Sequence, residues 1–159
     1  MSQKTLNKWL KLVIIGFGAG GLILYFAALP FIGISIVEDF PESSYCFWPW
    51  LIFLWLTAVP VYLVLFFLWK VVKNIQSGQS FSAENAKYFK WNAKFTMIDT
   101  CYFFIGNIAL LFANCSHPSV FLASLVVCFI GTAVSVIFAT LSHLFFKASI
   151  LQSQNDLTI

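Results

Sequence analysis

The chain has 159 residues, of which 60% are hydrophobic, 19% aromatic and only 9% charged, with a mean hydropathy of +0.88 and a formal net charge of +3. A soluble domain of this length carries about a quarter of its residues charged, so this composition excludes a water-soluble globule and defines a membrane protein. No arginine occurs anywhere, which removes the side chain best suited to bidentate recognition of phosphates and bases and argues against direct nucleic-acid binding.

A bilayer core requires roughly 20 apolar residues per helix, and four runs meet that demand: residues 12–36, 47–69, 95–113 and 120–146. The expected fold is all-α, a single integral-membrane four-helix bundle over residues 1–159. Lys4, Lys8 and Lys11 precede the first run. That run is too long for the 7–15 residue core of a signal peptide and is expected to be a retained span.

Within the first span, GFGAGG at 16–21 places Gly16, Gly20 and Ala27 on one narrow helix face, a pattern that lets two backbones approach closely. Packing against a neighbouring span of the same chain is the first expectation. Homodimerisation through Gly16 and Gly20 is the second. Pro30 near the end of this span and Pro60 in the middle of the next each remove a backbone donor and are expected to bend their helices.

Lysine placement predicts orientation. With the N-terminus in the cytoplasm, all nine basic residues, Lys4, Lys8, Lys11, Lys70, Lys73, Lys87, Lys90, Lys94 and Lys147, fall inside, and the loops at 37–46 and 114–119 carry none. Trp9, Trp69 and Trp91 mark the inner interface, and Tyr45, Trp48 and Trp50 the outer one. The expectation is an N-in, C-in protein of a cytoplasmic membrane. Five lysines spread over residues 70–94 make a weak case for dedicated lipid binding. Cys46 and Cys115 fall in or beside the outer loops, where a disulfide is permitted; a reduced pair is the simpler alternative. Cys101 and Cys128 lie inside the spans, and His117 and His143 lie at opposite ends with no metal-ligand spacing.

Between the second and third spans, Gly78 suits a helix stop, Ser82 an N-cap and Glu84 the positive first turn of a new helix. The third helix is therefore expected to start near residue 83 in the cytoplasm and to enter the bilayer as one rod. Along it, Asn85, Asn92, Thr96, Asp99, Thr100, Asn107 and Asn114 share an arc of about 100°. An acidic residue at mid-bilayer costs about 2.5–3.5 kcal/mol on insertion scales. Asp99 lies only a few residues beyond Lys94, so it is shallower than that. The first reading of the stripe is hydrogen bonding to another helix. The second is a cation or proton site with Asp99 as acceptor and Asn107 deeper on the route, and the third is a polar ligand cavity. Ser124, Cys128, Gly131, Ser135, Ala139 and Ser142 form a small-residue face on the fourth helix, expected to meet this asparagine stripe.

No phosphate-binding glycine loop, nucleophile elbow, metalloprotease helix or close carboxylate pair occurs, so no enzyme, metal or cofactor is expected. The turn Gly78, Phe81, Ser82, Glu84, Asn85 and the end Asn155, Asp156, Leu157, Thr158, Ile159 resemble the bacterial membrane-protein family known as domain of unknown function 2975. Members share four spans, a Gly-x-x-Phe-Ser-x-Glu-Asn turn and a terminus close to Glu-Asn-Asp-Leu-Thr-Ile. Gln154 stands where that terminus has glutamate, and the preceding ASILQS lacks its usual charges. The resemblance implies a membrane partner or tether of a cytoplasmic helix-turn-helix transcription regulator, with Ser82, Glu84, Asn85 and Asn155 to Ile159 as docking residues. A small ion-coupled transporter or channel-like subunit using Asp99, and a bacteriocin-immunity or stress-response protein, are the alternatives.

Overall fold

The computed structural model describes residues 3–156, with side chains described from 5 to 154. Helices account for nearly all of it, and no strand occurs among the described residues. Helix α1 (Gln3–Ile23) passes through a π turn (Leu24–Ala28) into α2 (Leu29–Asp39), and a 3-10 turn (Pro41–Cys46) leads into α3 (Phe47–Gln76). Helices α4 (Ala83–Phe112) and α5 (Pro118–Asp156) follow. Four helical stretches, Thr5–Asp39, Pro41–Gln76, Ala83–Phe112 and Pro118–Gln154, are long and apolar enough to cross a membrane.

Pro30 explains the π turn. It has no N–H to offer the carbonyl four residues back, and the Leu29 N–H reaches instead to Leu24 O, one residue further than in an α-helix. Helix α3 continues through Pro60.

Both junctions flanking α4 end their preceding helix with a residue at positive φ, Gly78 (83°) and Asn114 (56°). At the first, Gly78 N–H bonds Ile75 O at 3.2 Å and Gln79 N–H bonds Asn74 O at 3.0 Å. At the second, Asn114 N–H bonds Leu111 O at 3.1 Å and Cys115 N–H bonds Leu110 O at 2.8 Å. Each is a Schellman closure, which satisfies the last carbonyls of a helix and reverses the chain. Asn114 is therefore not the end of the α4 stripe, as its arc position suggested; it lies past the helix and is exposed. Asparagine tolerates the left-handed conformation better than other residues with a Cβ, which is why the helix stops here.

The helices run up and down, so that every lysine position falls at one end of the bundle and Cys46 and Cys115 at the other. Helices α4 and α5 make the most extensive contact, α3 and α4 the next, and α1 packs mainly on α3. On α4, Ala86, Ala93 and Thr100 recur every seven residues, and Ser142, Ser135 and Gly131 of α5 descend against them. Ser142 Oγ donates to Ala86 O and Ser135 Oγ to Ala93 O, both at 2.8 Å. The small face of α5 thus meets α4 along Ala86 and Ala93, beside the asparagines, and touches the polar stripe itself at Thr100. A side chain as small as serine both satisfies its own hydroxyl and brings two backbones together. Between α3 and α4 the seam is aromatic: Phe53 stacks on Phe103 at 5.8 Å and Phe67 on Phe95 at 6.0 Å.

The bundle is turned inside out relative to a soluble one. Its fully buried large side chains are Asn85 and Asn92, while Phe17, Phe31 and Phe129 are 70–76% exposed. Apolar rings facing outward and buried amides alongside buried apolar side chains such as Leu51, Phe53 and Phe89 is an arrangement a hydrocarbon solvent permits.

Gly16 and Gly20 do not take part in internal packing; a Cβ on either would meet nothing within 4 Å. The glycines that admit neighbours are elsewhere. A Cβ on Gly21 would come within 2.9 Å of the Tyr62 hydroxyl and one on Gly33 within 2.7 Å of the Phe47 ring, while one on Gly106 would meet the ring of Phe53 and one on Gly131 the Thr100 hydroxyl. A methyl group on Gly106 would collide with a ring locked between Tyr102 and Phe103. Gly106→Ala is expected to cost about 1–3 kcal/mol, whereas Gly16→Ala, with open space for its methyl group, should not lower thermal stability in micelles. Equal melting of the two variants would contradict the packing described.

Candidate functional site

Two polar regions stand out, one among the spans and one at the lysine end. The first is centred on Asp99. Its Oδ1 is buried without a hydrogen-bond partner, as are both side-chain atoms of Asn92, one heptad toward the lysine end. Tyr25 and Tyr102 both lie within electrostatic reach of the Asp99 carboxylate. The Tyr25 hydroxyl lies 3.0 Å from Thr57 Oγ1. Because Thr57 donates its own proton to Leu54 O at 2.7 Å, the tyrosine must donate to the threonine. Tyr62 Oη donates to Gly18 O at 2.8 Å, Trp55 Nε1 to Tyr25 O at 2.8 Å and Tyr102 Oη to Phe53 O at 3.3 Å. These bonds tie the first span to α3 and α3 to α4, and fix the Tyr25 and Tyr102 hydroxyls on the side of the carboxylate.

Of the remaining stripe residues, Asn85 reaches Asn74 of α3, but Thr100 and Asn107 do not bridge helices. Thr100 Oγ1 donates to Thr96 O and Asn107 Nδ2 to Phe103 O, both at 2.8 Å and both within α4. A hydroxyl or amide four residues past a carbonyl can return to it without help from a neighbour, so sharing an arc did not imply interhelical bonding. Sequence reasoning missed Tyr25, Thr57 and Tyr62. The available signal was three hydroxyls in otherwise apolar spans, each needing a partner in hydrocarbon.

The second region is the turn from α3 to α4. Ser82 caps α4, its Oγ accepting the Asn85 N–H at 3.2 Å. Asn85 is fully buried. Its Oδ1 accepts from Asn74 Nδ2 at 3.0 Å, and its Nδ2 donates to Gln79 O and Ser80 O at 3.0 Å each. Asn85 is therefore a clasp inside the turn, and not a docking surface; a side chain with no exposure and three bonds has nothing to offer a partner. Glu84 is exposed and accepts from Tyr88 Oη and, at 3.3 Å, from Asn74 Nδ2. Phe81, half exposed, packs its ring on Phe145 of α5 at 5.5 Å. The motif Gly78, Phe81, Ser82, Glu84, Asn85 thus closes a helix, starts the next and leans on a third. Leu157, Thr158 and Ile159, and the side chains of Asn155 and Asp156, lie outside the described residues.

At the opposite end the Sγ atoms of Cys46 and Cys115 are joined in a disulfide, with the Cα atoms 5.3 Å apart. Beside it lies a cleft of about 530 Å³, walled by Gly33, Phe47, Trp50, Asn114 and His117. Cys101 and Cys128 are free thiols. Among the described residues no three of His, Cys, Asp or Glu gather closely enough to hold a metal ion.

Exposed apolar rings, buried amides and four long apolar helices define a small all-α membrane protein whose interior mixes apolar and polar side chains. The chain belongs to the family described as "Protein of unknown function (DUF2975)", matched over residues 31–159. It is similar to the "Uncharacterized membrane protein YoaS" of Bacillus subtilis (strain 168), with 25% identity over 154 residues that cover 95% of this chain and 96% of that protein. No solved structure matches the chain.

Proposed function

We propose that this is a non-enzymatic integral membrane protein of the bacterial cytoplasmic membrane, with both ends in the cytoplasm, that acts as the membrane partner or tether of a cytoplasmic helix-turn-helix transcription regulator. The reading rests on the length of α5. Its 39 residues, Pro118–Asp156, extend roughly 58 Å at 1.5 Å per residue, against about 30 Å of hydrocarbon. Its excess turns are assigned to the lysine end, where α5 runs past the α3–α4 turn, whose Phe81 packs on Phe145, and on toward Asp156. Ser82 and Glu84 on that turn, with Asn155, Asp156, Leu157, Thr158 and Ile159, form the docking set, from which the buried Asn85 is withdrawn. Affinity capture from solubilised membranes, with chains ending at 153 and at 159, tests it. The regulator is expected to copurify with the longer chain only, and identical partners for both chains would overturn docking by the tail.

The unpartnered Asp99 Oδ1 favours a second reading, a small ion-coupled transporter or channel-like subunit. In that case Asp99→Asn abolishes cation or proton flux in proteoliposomes, and unchanged flux excludes it. Self-association belongs to either reading through the open Gly16 and Gly20 face. Cysteines placed at these positions would crosslink copies in the membrane if it occurs.

A further inference from the structure

Between α4 and α5 at the lysine end lies an open groove of about 840 Å³. Lys87, Lys90 and Lys94 line one side, His143 and Phe146 of α5 the other, and the floor is made of Ala86, Ala93, Ala139 and Ser142. None of its lining residues is acidic. The floor is closed, because the Ser142 hydroxyl is bonded to Ala86 O at 2.8 Å, so the groove is a shelf between the helices and not a channel. The three lysines are exposed and succeed one another over roughly 10 Å of the α4 axis. That is comparable to the headgroup layer, about 5–8 Å on each side of the hydrocarbon. Trp91, 40% exposed, also lines the groove, and Lys94 Nζ lies over its ring at 5.1 Å. Lys94, the deepest of the three, is thereby turned back toward the level of the other ammonium groups, as snorkelling lysines are.

We propose that this groove is a binding site for an anionic phospholipid, whose phosphate sits among Lys87, Lys90 and Lys94 and whose acyl chain lies along Phe146 and the alanine floor. Lysine spacing along the sequence alone made a weak case; the structure adds the second wall, the aromatic at headgroup depth and the apolar floor. A soluble phosphate ester would use the ammonium groups but gain nothing from Phe146 or the alanines. The proposal is independent of any regulator, since it needs only that the lysine end lie at a leaflet surface.

Native mass spectrometry of the full chain in micelles, titrated with dioleoyl phosphatidylglycerol, dioleoyl phosphatidylcholine or glycerol phosphate, tests it. Phosphatidylglycerol is expected to bind more tightly than the other two. Its affinity should fall about fivefold for each lysine neutralised in Lys87→Gln, Lys90→Gln and Lys94→Gln, and about a hundredfold in the triple variant. The charge-matched control Lys4→Gln/Lys8→Gln/Lys73→Gln should bind as the parent does. If the triple variant fails to fold, the three single variants carry the same reading. Equal affinity for phosphatidylcholine, equal affinity for glycerol phosphate, or equal losses in the groove and control variants would each overturn the proposal.

Discussion

Replacing both Cys46 and Cys115 with serine is expected to lower stability by roughly 2–4 kcal/mol, a fall in melting temperature on the order of 5–10 °C for a chain of this size. The bond joins positions 69 residues apart in sequence and so encloses α3, α4 and both their connections. A chain-entropy estimate for such a loop in water is about 4 kcal/mol. The bilayer already restrains an opened chain, so the lower half of the range is expected. The effect should be reproduced in the parent protein by a reductant and be absent from the serine variant treated alike. Thermal melting in micelles with and without reductant reads both. A parent protein indifferent to reductant would remove the bridge from the stabilising interactions.

Asn85→Ala is expected to be the second large effect, on the order of 2–3 kcal/mol, because it removes a fully buried amide and with it three bonds, to Asn74 Nδ2 and to the Gln79 and Ser80 carbonyls. Ser82→Ala, which removes an N-cap from the same helix start, should cost about 1 kcal/mol. Asn85→Asp separates the roles of the amide, keeping an acceptor for Asn74 while losing both donors to the turn. Hydrogen exchange should then accelerate across residues 77–86 in both Asn85 variants before any other segment. Uniform acceleration throughout the bundle, or none, would show that the turn is held by something else. The same variants bear on the family motif: its asparagine is explained by turn geometry without reference to a partner.

Much of the architecture was legible because hydrocarbon imposes simple rules. Four apolar runs implied four helices, and Gly78, Ser82 and Glu84 marked the α3–α4 junction by local chemistry that needs no tertiary context. The small face of α5 was also visible, since Ser135, Gly131 and Ser142 recur at helical spacing. What failed were inferences about which surface faces which. An arc of polar residues on α4 does not say whether Thr100 and Asn107 reach a neighbour or fold back on their own helix, and it assumed a helix continuing to Asn114. The positive φ at Asn114, directly before the bridged Cys115, ended the helix two residues earlier. Gly16 and Gly20 illustrate the converse. Their spacing is the one that permits close approach, yet internal contact fell to Gly21, Gly33, Gly106 and Gly131, where a bulky or hydroxylated partner happens to lie opposite. Tyr25 comes to Asp99 from the first span and Tyr102 from α4 itself, and such a pairing becomes visible only when the helices are placed side by side.

The central claim is the proposed threading, in which the lysine end with the α3–α4 turn faces the cytoplasm and the Cys46–Cys115 bridge faces outward. An impermeant maleimide applied to intact cells measures it directly. Cysteines introduced at Ser77 or Gln3 should remain unlabelled until the membrane is permeabilised, whereas Cys46 and Cys115 should label in intact cells once an impermeant reductant has opened the bridge. Labelling at Ser77 and Gln3 in intact cells, with Cys46 and Cys115 protected even after reduction, would contradict the account.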